Sequence, residues 1–165
     1  MRHRFSGLIP LVLFACGAPQ HATLLDQNKA LVRQFLQDID QSQGSMGFID
    51  KWMTPDFKSH APGATEPLNV PAYRQLVSAF LTGFSDFRRE IQQMVAEDDL
   101  VSVVMTIRMR NTGNFQGNSP TGREISMPEA LVVRMQNGKI AEEWLVIDSG
   151  ALEHQLAGSA RSAHR

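Results

Sequence analysis

The clearest pattern in the chain is an alternation of apolar and polar positions over residues 100–111, with Val104 as the exception on the polar face. The apolar positions are Val101, Val103, Met105, Ile107 and Met109. Successive side chains of a strand point to opposite faces, so this segment predicts a strand with one buried face and one largely solvated face.

Other segments of the C-terminal half predict neighbouring strands. They lie at 87–96, 123–135 and 140–148. Glu97-Asp98-Asp99 predicts a turn, and Pro128 predicts a bend or bulge within its strand. Asn137-Gly138 is the preferred dipeptide of a type I′ turn and predicts a tight hairpin between the last two strands.

The N-terminal half has the spacing of amphipathic helices. Thr23 is a candidate N-cap for a helix over Leu24–Asp40, and Asn69 is a candidate N-cap for a second helix with Pro71 in its first turn and Gly83 at its end. Shorter segments predict a helical turn at 48–53, an extended run at 54–63, a loop at 112–122 and a short closing helix after 148. Helices followed by strands predict an α+β fold, with the helices on one face of a curved antiparallel sheet.

Length and charge restrict the class of protein. The chain has 165 residues, which predicts one domain with a substantial core. Its formal net charge is −1, and no basic stripe with interleaved aromatic residues occurs, so nucleic acid is not an expected partner. No Gly-rich phosphate loop or metal-ligand spacing is present, and we expect neither a metal nor an organic cofactor.

The N-terminus has the pattern of an export signal. A basic start at 2–4 precedes a short apolar run, and Leu13-Phe14-Ala15-Cys16 resembles a bacterial lipobox. The resemblance implies a signal peptide at 1–15, lipid attachment to Cys16, and anchoring in the membrane of the cell envelope through a tether at 16–22. The folded domain is then expected at 23–157, followed by a disordered tail at 158–165. A plain signal peptide cut nearby, or an N-terminus without a role, stays open.

The last predicted strand carries the candidate chemistry. Regular alternation places Glu142, Trp144, Val146 and Asp148 on one face. An aromatic wall raises the pKa of a neighbouring carboxyl group, which makes Asp148 a candidate proton carrier. The alternative is structural, because aspartate at the end of a strand is also a preferred N-cap of the following helix.

Several segments together carry a family resemblance. They are His60-Ala61-Pro62-Gly63, Phe84-Ser85-Asp86-Phe87, the loop from Gly113 to Arg123, and Asn137 to Trp144 followed by Asp148. In this order the chain resembles the SnoaL-like polyketide cyclases of the nuclear transport factor 2-like superfamily, over about 28–156. The resemblance implies a cone-shaped fold around an apolar cavity, and an intramolecular aldol closure without metal or organic cofactor.

The resemblance also assigns roles. Asp148 matches the acid/base aspartate of the family and His60 a histidine at the pocket. Asn111 occupies a position at which the cyclases often carry histidine, and its amide can donate a hydrogen bond to a carbonyl. We expect the cavity wall to include Phe80, Phe84, Met105, Met127, Leu131 and Trp144, with Glu129 at the pocket or in an ion pair.

Three functions remain open at this point. The first is a lyase- or isomerase-type enzyme that acts on a small apolar carbonyl compound. The second is a module that binds a small hydrophobic ligand without catalysis. The third is a platform for homodimers or other partners, and a homodimer is expected in any of the three. His60, flanked by Ser59 and Ala61-Pro62, could instead be a loop residue bonded to backbone.

Overall fold

The structure is a computed structural model that describes residues 20–42 and 44–157. The predicted signal peptide, the lipidated Cys16 and the tail at 158–165 lie outside the described residues. Within the described part of the chain, no helix has the length and apolar character needed to cross a bilayer.

The elements follow the predicted order of helices and then strands. The helices are α1 (Gln20–Asp40), α2 (Gly47–Trp52), α3 (Val70–Gly83) and α4 (Ser149–Ala157). The strands are β1 (Met53–His60), β2 (Phe84–Glu97), β3 (Leu100–Asn111), β4 (Glu124–Gln136) and β5 (Lys139–Ile147). Helix α1 begins four residues before the predicted start, whereas β3 has the predicted bounds. The Asn69 side chain caps α3 by accepting a hydrogen bond from the Ala72 amide at 3.1 Å.

The five strands form one sheet in the order β1-β5-β4-β3-β2. Strands β2 to β5 are antiparallel neighbours, whereas β1 pairs with β5 in parallel. The prediction of a purely antiparallel sheet is therefore wrong at one edge. The parallel pair needs a long crossover, and α3 together with β2 to β4 supplies it.

The helices pack on one face of this sheet and form the main core. Val32, Phe35 and Leu36 on α1 are at most 2% exposed. They face the alternating apolar positions of β3, of which Val101, Val103 and Met105 belong to the same cluster. The α+β prediction, with helices on one face of the sheet, is confirmed.

The hairpin between β4 and β5 contains the feature that orients the site. Asn137 and Gly138 have φ angles of 52° and 76°, as a type I′ turn requires. Met135 pairs with Ile140, but the next pair is Arg134 with Glu142, so Ala141 is an extra residue. Such a β-bulge shifts the strand by one position and exchanges its two faces.

The bulge decides which β5 side chains face the helices. Glu143, Leu145 and Ile147 point toward the helices, and Glu142, Trp144 and Val146 point to the opposite side of the sheet. The predicted bulge at Pro128 is absent, because β3 and β4 keep a continuous register through the pair of Thr106 with Pro128.

Deletion of Ala141 tests the bulge. The shortened strand must either lose its pairing with β4 or turn Glu142 and Trp144 toward the core, so we expect a loss of at least ~3 kcal/mol in the free energy of unfolding. Urea denaturation measures it. Deletion of Ser119, an exposed loop residue, is the control and should have a small effect. Equal stability of the Ala141 deletion and the intact chain would contradict the assigned register.

Candidate functional site

A cavity of about 110 Å³ lies between the helices and the inner face of the sheet. Its volume is below the ~300–1,000 Å³ of typical ligand pockets, so it suits a small molecule. The wall is mainly apolar and includes Phe35, Leu36, Phe48, Leu76, Phe80, Phe87, Met109, Met127, Leu131 and Leu145. Four polar side chains interrupt this wall: Tyr73, Arg89, Glu129 and Glu143.

Glu143 is the most deeply buried carboxylate of the site. It follows the bulge on β5 and is only 2% exposed. The Ser59 hydroxyl on β1 donates a hydrogen bond of 2.7 Å to its Oε1, and both this hydroxyl and the Tyr73 hydroxyl on α3 act to lower the pKa of Glu143. Burial nevertheless raises the pKa of Glu143 to about 7, with a further contribution from the charge of Glu129.

Glu129 occupies an inward position on β4, directly opposite Ile147. Burial raises its pKa to about 7, while Arg89 acts to lower it and Asp40 to raise it. Among the residues that the structure describes, no group forms a hydrogen bond with this carboxyl group. Glu129 is therefore the freer of the two acids.

Among the described residues that line the cavity, Arg89 is the one basic residue, and its guanidinium is paired with Asp40. The Arg89 backbone amide donates to Asp40 Oδ2 at 3.0 Å, and its guanidinium Nη1 donates to Asp40 Oδ1. The guanidinium forms an ion pair with the last residue of α1, which joins that helix to β2. Arg89 forms no ion pair with either glutamate, and its charge only partly offsets the effect of burial on the pKa of Glu129.

The two glutamates can exchange protons with a bound molecule near neutral pH. A carboxyl group with a pKa near 7 is present in both forms, which suits it to take and give a proton. In residues 20–42 and 44–157, no group of three or more His, Cys, Asp or Glu side chains is placed to hold a metal ion.

Asp148 lies outside the cavity, and its predicted place beside an aromatic wall inside it is wrong. The residue is exposed, and its Oδ1 accepts a hydrogen bond of 2.9 Å from the Ala151 amide, so it caps α4. The reason is the extra residue Ala141, because regular alternation from Ile140 would have turned Asp148 inward.

His60 and Trp144 also lie on the outer face, so their predicted pocket positions are wrong. Their rings stack at a centroid distance of 5.1 Å and an interplanar angle of 4°. His60 Nε2 contacts Glu142 Oε1 at 2.8 Å, and the Arg134 guanidinium covers the indole at 5.6 Å. The parallel pairing of β1 with β5 places His60 opposite Trp144.

Asn111 is fully buried, but its amide is already used. The Nδ2 group donates to the carbonyl oxygens of Gly83 and Gly113 at 3.1 and 3.0 Å. Its Oδ1 accepts from the Thr121 amide at 2.8 Å. Asn111 thus fastens the loop after β3 to the end of α3, and it has no donor left for a substrate carbonyl.

The predicted wall is correct in part. Phe80, Met127, Glu129 and Leu131 line the cavity. Phe84 and Met105 are buried within the apolar clusters but do not line it. The residues predicted on β4 line the cavity because β3 and β4 pair without a shift of register, which places Glu129 in phase with Met127 and Leu131.

Five residues of the site were not predicted: Asp40, Ser59, Tyr73, Arg89 and Glu143. Tyr73 lies on the buried, mainly apolar face of α3, and a tyrosine in such a stripe brings a hydroxyl into the core. No sequence pattern indicates that Glu143 faces the interior, because a one-residue bulge is not visible in the residue pattern. Arg89 alternates with Phe87 and Ile91 on β2, and that alternation could have indicated it.

Comparison with known proteins gives a family and a fold. The sequence profile of the SnoaL-like polyketide cyclase family matches residues 30–156. A search of curated proteins gives no match.

Solved structures share the fold. AclR from Streptomyces galilaeus, a candidate hydroxylase, is 25% identical, with a TM-score of 0.73 over 81% of this chain and 83% of its own. A candidate SnoaL-like polyketide cyclase from Jannaschia sp. CCS1 is 21% identical, with a TM-score of 0.69 over 85% and 95%. IdmH from Streptomyces antibioticus, a candidate polyketide cyclase, is 23% identical, with a TM-score of 0.69 over 79% and 99%.

The raised pKa values of Glu129 and Glu143 predict a pH-dependent stability. The folded chain holds their protons up to a pKa of about 7, whereas the unfolded chain releases them near ~4.3, so stability falls as the pH rises between these values. Between pH 5 and pH 8, the free energy of unfolding of Glu143→Gln should fall by ~2 kcal/mol less than that of the intact protein, as measured by urea denaturation. Glu153→Gln, at an exposed position on α4, is the control. The same pH dependence in all three proteins would contradict the assignment.

The capping role of Asp148 predicts a stability effect that depends on the side-chain oxygen. Asp148→Ala removes the acceptor for the Ala151 amide and should cost ~1 kcal/mol, whereas Asp148→Asn keeps an acceptor and should cost less. Thermal denaturation compares the two variants. Equal losses in both would show that the carboxylate has a role other than capping.

Proposed function

Because the chain belongs to the SnoaL-like polyketide cyclase family, we propose that it carries out cofactor-free acid/base chemistry on a small apolar carbonyl compound, with Glu129 and Glu143 as the proton carriers. The observation that supports this proposal most is the pair of carboxyl groups with pKa values of about 7 in one apolar cavity. Groups with such pKa values are effective general acids and bases at neutral pH.

The two glutamates have different surroundings and therefore different proposed roles. Glu129 has a free carboxyl group, so its ionised form is the proposed base that removes a proton from the carbon next to the carbonyl. Glu143 accepts a hydrogen bond from Ser59 and has the Tyr73 hydroxyl beside it. Its protonated form, or the Tyr73 hydroxyl, then donates a hydrogen bond to the carbonyl oxygen on which negative charge develops.

The proposed step is proton transfer. The C–H bond breaks, its electron pair forms the enolate, and the proton moves to Glu129. Where the compound carries a C=C bond conjugated with the enolate, return of the proton to the far carbon of that conjugated system moves the double bond and completes an isomerisation, and the protein regains its starting protonation. The dry apolar wall strengthens the interactions that stabilise the enolate.

The size of the cavity favours isomerisation over ring closure of a long chain. A space of about 110 Å³ is smaller than the ~150 Å³ of an engineered cavity that binds benzene. A compound with one ring or a short branched chain fits this volume. Folding a polyketide chain upon itself would require the helices to move away from the sheet.

The relatives do not decide between these reactions. Solved structures of this fold include candidate cyclases, a candidate hydroxylase, and a candidate isomerase from Rhodopseudomonas palustris that is 14% identical, with a TM-score of 0.65 over 78% of this chain and 96% of its own. One fold hosts many reactions. The proposal therefore depends on the cavity of this chain.

We also propose the location and assembly that the sequence predicts. The basic start, the apolar run and Cys16 support export and lipid anchoring. For a homodimer, the outer face of the sheet offers a row of directly paired apolar residues: Val104, Ala130 and Val146. Val104 and Val146 are 49% and 65% exposed, which suits them to a contact between two copies.

Deuterium exchange tests the chemistry. The protein in D₂O should accelerate exchange of the protons next to the carbonyl in at least one of a panel of small ketones, as followed by NMR. Glu129→Gln should slow the catalysed exchange by ~10² or more, because it removes the base. Glu142→Gln and Asp148→Asn change acids on the outer side and should leave the rate unchanged.

Two outcomes would contradict the proposal. One is exchange that survives Glu129→Gln but is lost in Asp148→Asn. The other is the absence of catalysed exchange with every ketone of the panel.

A further inference from the structure

The charges around the cavity do not balance. The ionisable groups that line it come from α3, β2, β4 and β5 and are Tyr73, Arg89, Glu129 and Glu143. Asp40 of α1 does not line the cavity but is paired with Arg89. Counted with Asp40, three of these groups are carboxyl groups and one is a cation. From β1, the Ser59 hydroxyl adds a hydrogen bond but no charge.

Arg89 forms no ion pair with the two glutamates, although its charge acts to lower the pKa of Glu129. Its guanidinium is already paired with Asp40, which also accepts a hydrogen bond from the Arg89 backbone amide at 3.0 Å. Within the described residues, no lysine, arginine or histidine forms an ion pair with Glu129 or Glu143. An ionised carboxylate in an apolar site without a cation is unfavourable.

The remainder of the wall is suited to a cation with an apolar body. Phe35, Phe48, Phe80 and Phe87 border the same cavity, together with Tyr73. Aromatic faces attract a cation through their quadrupole, and more strongly where water is excluded. The aliphatic residues of β4 and β5 provide contact area for hydrocarbon.

We propose that the cavity binds a small apolar amine in its protonated form, with the ammonium group beside Glu129 and Glu143 and the hydrocarbon body against the phenylalanines. The amine supplies a cation that can form an ion pair at this point, and this ion pair stabilises the ionised form of the acid beside it. This binding activity goes beyond the proposed function and requires no catalytic step.

The proposal predicts a selectivity for charge. An amine competes with the protons of the two glutamates, so its affinity rises as these groups ionise. Glu129 and Glu143 have pKa values of about 7, and an aliphatic ammonium group stays charged up to ~10. Binding should therefore strengthen between pH 6 and pH 8. A carboxylate of the same shape should be excluded.

A matched series of three ligands tests this selectivity. Isopentylamine, isopentanol and 3-methylbutanoate share a branched carbon skeleton and differ in charge. Isothermal titration of the purified protein at pH 8 should show the amine binding at least ~10-fold more tightly than the alcohol, which corresponds to one close charge pair. The carboxylate should bind more weakly than the alcohol. Between pH 6 and pH 8, only the amine should gain affinity.

Variants locate the binding to the two acids. Glu129→Gln and Glu143→Gln should each reduce amine affinity about tenfold and leave alcohol affinity unchanged. Glu153→Gln, on the exposed side of α4, should change neither. If a cavity variant fails to fold, the ligand series on the intact protein still decides the question.

Equal affinity for amine and alcohol at pH 8 would overturn the proposal, as would amine binding that survives both cavity variants. The ketone exchange assay contains no amine. Failure of amine binding with intact exchange therefore removes this inference alone, and loss of exchange with intact amine binding removes the proposed function alone.

Discussion

The register of β5 depends on one extra residue, and the site depends on that register. Ala141 has no partner position of its own on β4, so every residue after it changes sides. Glu143 thereby enters the apolar interior, while Glu142 meets His60 and Arg134 on the other side. The different pKa directions of these adjacent glutamates, raised for Glu143 and lowered for Glu142, follow from this one feature.

The interior accommodates its acidic groups because each of them is stabilised in a different way. The Ser59 hydroxyl donates a hydrogen bond to Glu143, Asp40 is paired with Arg89, and Glu129 is kept partly neutral by its own raised pKa. The wide apolar cluster of α1, β3 and β4 provides the stability that such burial reduces. This cavity is a polar centre inside a hydrophobic core. Burial raises the pKa values of its acidic groups, and the same burial reduces the stability of the fold.

The order of elements could be predicted from sequence because it depends on local pattern. Helical spacing in α1, alternation in β3 and the Asn137-Gly138 turn act over a few residues each. Glu129 was found because its strand keeps strict alternation with Met127. The parallel β1 edge and the bulge at Ala141 depend on contacts between distant parts of the chain, so Glu143 was missed and Asp148 was chosen in its place.

The hydrogen bond from Ser59 to Glu143 joins residues 84 positions apart in the chain. Closing so long a loop is entropically costly, and the parallel pair of strands also needs a crossover connection. Ser59 and Glu143 are direct partners in β1 and β5, so their hydrogen bond exists only where those two strands have met. Loss of β5 would remove Glu143 and separate β1 from β4 at the same time, so the candidate site and the attachment of the edge strand depend on one segment.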